Sequence, residues 1–139
     1  MKLSDNFRKA ISDEFKYAAD KMEKETNLGR RNYFFSATYA IVLRILNLEF
    51  DPALILVHEV LQNTYRAIDA RLTTIATGQE KVITIPEELF DSLAKAVKEL
   101  GAAIRDNRDL SQPLQKIATV GFATFGNGYY LYQKGILRM

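Results

Sequence analysis

Apolar residues recur at three- and four-residue intervals along most of the chain, the spacing that gathers side chains onto one face of an α-helix. Residues 4–25 carry Phe7, Ile11, Phe15, Ala18 and Met22 on such a face, with charges on the other and Ser4 placed to cap the start. Thr26, Asn27, Leu28 and Gly29 read as a turn in which Gly29 ends or bends the helix. A second helix over residues 30–49 follows. Residues 33–48 are nearly all apolar, interrupted by Arg44, and predict a helix that is buried. The run is shorter than the ~20 residues of a membrane span, and an arginine near its middle would be costly in lipid.

Phe50, Asp51 and Pro52 predict a tight helical hairpin, because Asp51 can cap the next helix and Pro52 fits its first position, where no N–H is needed. The third helix, residues 52–77, repeats Leu54, Val57, Leu61, Tyr65, Ile68, Leu72 and Ile75 on one stripe until Thr77 and Gly78 close it. Residues 79–85 are charged and then β-branched; with no partner strand elsewhere they read as a loop packed on the bundle. Pro86, Glu87 and Glu88 open a fourth helix, residues 86–105, with Leu89, Leu93, Val97, Leu100 and Ile104 as its buried stripe. Residues 105–109 are polar and predict a solvated loop or a frayed end. A fifth helix starts near Ser111, Gln112 and Pro113 and is placed at residues 112–137. The predicted architecture is therefore all-α: an up-and-down bundle of four to five helices, with residues 1–139 as one domain.

Three glycines fall in the fifth helix. Gly121, Gly128 and Gly135 are spaced by seven and seven, which on a helix puts all three on one stripe flat enough for another helix to approach closely. Each costs about 1 kcal/mol relative to alanine, so the stripe needs close packing to compensate. One reading makes it an assembly face. The other makes Gly126, Asn127 and Gly128 a break between two short helices. Residues 117–132 contain no charged side chain, and Phe122, Phe125, Tyr129, Tyr130 and Tyr132 fall all round a helix. Such a segment is either the central helix of the core or is covered on one side by a second subunit.

Composition narrows the chemistry. A 47% hydrophobic and 26% charged chain folds, and 19 basic against 17 acidic residues leave a net charge of +2, too small to announce a nucleic-acid or membrane-surface partner. The absence of cysteine excludes disulfides, thiolate nucleophiles and cysteine zinc sites, and one histidine excludes a multi-histidine metal centre within the chain. No cofactor is expected. The first five residues turn charged at once and lack the apolar core of a signal peptide, which predicts a cytoplasmic protein.

Arg44, His58 and Glu59 form the candidate polar site. Arg44 lies about as far before the Asp51 turn as His58 and Glu59 lie after it, so an antiparallel hairpin brings them to one level. A salt bridge from Arg44 to Glu59 follows if both face the seam. The functional alternative is an anion or nucleotide site built by Arg44 and His58; the commoner outcome is an internal ion pair beside a satisfied histidine. His58 and Glu59 begin a zinc-protease motif, but Gln62 stands where the second histidine belongs. Gly126, Asn127 and Gly128 lack the lysine and hydroxyl residue of a phosphate loop. The pairs Asp13 with Glu14, Glu23 with Glu25 and Glu87 with Glu88 read as solvated or first-turn carboxylates, and the arginine pairs at 30–31 and at 105 and 108 as solvated positions.

The aromatic stretch Asn32, Tyr33, Phe34, Phe35, Ser36, Ala37, Thr38, Tyr39, Ala40, followed by a second long helix, resembles the front half of HEPN-type helical bundles over roughly a third of the chain. Many of these are toxin ribonucleases or nucleotide-handling modules, so the resemblance implies a helical fold and often a dimer. The family's ribonucleases carry an arginine shortly before a histidine; here Phe50 through Ala53 occupy those positions, and no site residue carries over. The sequence thus predicts a non-enzymatic interaction module that self-associates through the glycine-bearing C-terminal helix, at Gly121, Gly128 and Gly135, and presents a surface to an unknown protein partner. The alternatives are a small-molecule-binding bundle with an aromatic pocket from residues 33–39 and 122–132, and a HEPN-like RNA-associated domain.

Overall fold

Each run of three- and four-residue spacing winds into a helix. A computed structural model describes residues 1–76 and 87–125, with the side chains of 1–73 and 87–121. Its helices are α1 (Asp5–Lys24), α2 (Leu28–Leu46), α3 (Pro52–Ala76), α4 (Glu87–Arg105) and α5 (Ser111–Phe125). No strand occurs among the described residues. The expected loop at 79–85, and the expected course of the last helix beyond Phe125 with its Gly126, Asn127 and Gly128 break, lie outside them.

The helix ends follow short polar side chains more closely than glycine. Asn27 caps α2 by accepting the Arg30 N–H at 2.9 Å, so Gly29 lies inside the first turn and does not form the turn expected of it. Ser4 occupies the cap position of α1, yet its side chain makes no cap hydrogen bond; Asp5 places a negative charge in that first turn instead. Asp51 caps α3 as expected, its Oδ1 accepting the Ala53 N–H at 2.9 Å. After α4 the chain turns through Asn107, whose φ of 54° is the left-handed conformation that asparagine tolerates better than most residues.

Five helices close a ring in which α1 packs on α2 and α4, α3 on α2 and α5, and α4 on α5. Helices that alternate up and down around an odd-numbered ring must contain one parallel neighbouring pair, and here it is α3 with α5. Phe15, Phe35, Phe90, Leu54, Leu61, Leu93, Leu100 and Ile117 fill the interior, each fully buried. Two glycines permit close approaches. A Cβ on Gly101 of α4 would lie 3.1 Å from the Phe15 Cβ of α1, and one on Gly121 of α5 would lie 3.3 Å from Thr64 Oγ1 of α3. Thr64 in turn donates to the Ile117 carbonyl at 3.4 Å.

Gly121 is therefore buried against its own chain, at the α3–α5 contact, and does not lie on an outward assembly face. Its heptad partners Gly128 and Gly135 lie outside the described residues. A second correction concerns α2. Its apolar run is not buried all round: Phe35, Val42 and Ile45 face the core, whereas Tyr33 and Leu43 are exposed.

Candidate functional site

All the large apolar side chains exposed among the described residues, apart from Tyr17, lie between positions 33 and 56: Tyr33, Leu43, Leu48, Phe50, Ile55 and Leu56. They occupy the outer face and tip of the α2–α3 hairpin. Tyr17, on α1, has Lys21 Nζ over its ring at 5.6 Å.

The tip is built by two carboxylates. Asp51 Oδ2 accepts the Lys2 N–H at 2.8 Å while its other oxygen caps α3, and Glu49 Oε1 accepts the Ser4 N–H at 2.9 Å. The Glu49 N–H also donates to the Ile45 carbonyl at 2.8 Å. The loop is thereby tied on one side to the start of the chain. Leu48 and Phe50, which alternate with the tied residues, are turned to solvent, 67% and 69% exposed. Two large apolar groups are thus held in water on a backbone fixed by these hydrogen bonds. Leu43 in the last turn of α2 and Ile55 in the first turn of α3 are also exposed.

The three residues of the expected polar site do not converge. Arg44 is exposed and forms no ion pair with Glu59, which is half-buried. The reason is rotation. Arg44 lies two residues beyond the buried Val42, about 200° further round a helix of 3.6 residues per turn, and so points away from the seam. His58 does reach the seam, where its ring meets Tyr39 edge-on at 5.9 Å, and Tyr39 meets Tyr65 at 5.4 Å. It is not the satisfied histidine expected, for its Nε2 is buried without a hydrogen-bond partner. Burial lowers the imidazole pKa below its ordinary value, against the upward pull of Glu59.

The arginine pair at 30–31 also departs from expectation. Arg30 is exposed, but Arg31 is 4% exposed, its Nη2 donating to Asp91 at 2.9 Å and its guanidinium lying over the Phe90 ring at 4.9 Å. It fastens α2 to α4. No group of acidic, histidine or cysteine side chains among the described residues could hold a metal ion. No helix among them is long and apolar enough to cross a membrane. Tyr33, Tyr39, Arg44 and His58 line neither of two surface grooves, which lie between α4 and α5 and between α1 and α4.

Sequence reasoning missed Phe50, Ile55 and Leu56 as candidate contacts. The signal was present: Leu54 and Val57 already supply the core stripe of α3, so Ile55 and Leu56 exceed what one buried face needs. Comparison of the chain with family models, with curated proteins and with solved structures gave no match.

Proposed function

We propose that the protein is a non-enzymatic interaction module that self-associates through the outer face and tip of the α2–α3 hairpin. The observation that carries this reading is the pinned, solvent-facing pair Leu48 and Phe50, with Leu43 and Ile55 exposed in the adjoining helical turns. Burying one such side chain against a partner is worth about 1.5–3 kcal/mol, so four of them offset a substantial part of the cost of association. Charge favours a second copy as the occupant. Arg44 and Glu59 flank the tip, neither in an ion pair among the described residues, giving a rim of both signs that does not repel its own duplicate.

The chain contains no cysteine, so a single introduced thiol reports on this face alone. Asn47 is exposed beside the tip. Asn47→Cys treated with a short bis-maleimide is expected to yield a covalent dimer, and Lys9→Cys, on the outer face of α1, is expected to stay monomeric. Equal yields from both positions, or none from Asn47→Cys, would overturn the reading.

A further inference from the structure

We infer that the groove between α4 and α5 is a binding site for an amphipathic carboxylate, a medium-length acyl chain with an anionic head group. The groove has a volume of about 410 Å³, within the range of small-molecule sites. It exists because the α4 positions facing α5 include small residues, Ser92 and Ala96, where a leucine would close the gap between two antiparallel helices. Its apolar wall comes from Leu89, Ala96 and Val120. From Leu89 to Glu99 the trough follows about 15 Å of helix at 1.5 Å per residue, enough for an extended chain of medium length.

One end and one rim are charged. Lys116 Nζ of α5 binds Glu99 Oε2 of α4 at 2.9 Å, strapping the two helices together across the groove. Lys95 also lines the groove and has no ion pair among the described residues. Among the described residues two cations against one anion leave the rim positive, and the positive charge not neutralised there is the Lys95 ammonium. An apolar trough with one free cation at its edge matches a ligand with one anionic end and an apolar body. The groove between α1 and α4 lacks this combination. Its Lys98 is occupied by Asp20 and Glu23, both at 3.0 Å, and its lining offers only Ala102 as an apolar side chain.

The test is an NMR titration of the full chain with decanoate, with decyltrimethylammonium as the charge-reversed probe. Saturable amide shifts at Ser92, Lys95, Ala96 and Thr119 are expected with decanoate, at an affinity about tenfold or more above that of the cation. Ser92 is exposed, so Ser92→Leu fills the groove without disturbing the core and is expected to abolish those shifts. Lys95→Glu is expected to invert the preference between the two head groups. Equal affinity for both probes, shifts confined to the α2–α3 hairpin, or undiminished binding by Ser92→Leu would each overturn the inference. None of these outcomes depends on whether the hairpin associates.

Discussion

The α1–α4 side and the α2–α3 side of the ring are both made of long amphipathic helices, yet they treat solvent differently. On α1 and α4 the apolar residues other than Tyr17 are mostly turned inward, and charges cover the outside; Lys98 joins Asp20 and Glu23 across the two helices, and the Lys98 pKa is held above its ordinary value chiefly by Glu23 and then by Asp20. On α2 and α3 there are more apolar side chains than the interior accepts. Phe35, Val42, Leu54 and Leu61 go inside, while Leu43 and Ile55 remain outside with Leu48 and Phe50 at the tip. The first side leaves Tyr17 as its one large exposed apolar residue among the described residues. The second carries exposed apolar area that would gain free energy if another surface covered it.

If this division is right, stability and association separate when side chains are removed from each side. Phe15→Ala, which empties a fully buried ring site beneath Gly101, is expected to cost about 3–5 kcal/mol in denaturant unfolding. Asp51→Ala removes both the α3 cap and the acceptor for the Lys2 N–H, and is expected to cost about 1–2 kcal/mol while also loosening the tip. The pair Leu48→Ser and Phe50→Ser, large in side-chain volume but exposed, is expected to stay within about 0.5 kcal/mol per site. A loss comparable with that of Phe15→Ala would mean that the tip belongs to the core and would erase the comparison.

The smallest effect belongs to His58. Its folded-state pKa lies below the unfolded value of 6.5 because burial disfavours the imidazolium, so the unfolded chain binds the proton more readily. The stability this group contributes is fully present above pH 6.5 and is lost as pH falls through that value toward the lower folded one. Denaturant midpoints at pH 7.5 and 5.5 are expected to differ in that sense for the natural chain, with the difference reduced in His58→Phe. A midpoint rising on acidification in this window would contradict the burial of Nε2.

The parts of this picture that were legible in the sequence share a cause. Ile11, Phe15 and Met22 on α1, and Leu93, Val97, Leu100 and Ile104 on α4, alternate with charges, and that contrast fixes both the helix and its rotation. The Asp51–Pro52 start of α3 was equally readable, since a cap acts within a few residues of itself. Where contrast fails, so does the reading. Residues 33–48 are apolar on every side, and such a run cannot tell an interior face from an exposed one; only the packing of α1 and α3 against α2 decides that Leu43 stays outside. The distances of Arg44 and Glu59 from the Asp51 turn carry no information on the rotation that turns Arg44 outward. Gly121 does make a close helix contact, but with Thr64 of the same chain, because a small residue marks room for close approach and does not name what lies against it.

The most direct measurement of the central claim is the molar mass in solution, by light scattering across a concentration series at two salt concentrations, for the natural chain and for the Leu48→Ser, Phe50→Ser double variant. An apolar hairpin interface predicts twice the chain mass for the natural protein, resistant to salt, and the monomer mass for the variant at the same concentrations. A natural chain that is monomeric throughout, or a double variant that keeps the doubled mass, would contradict the account.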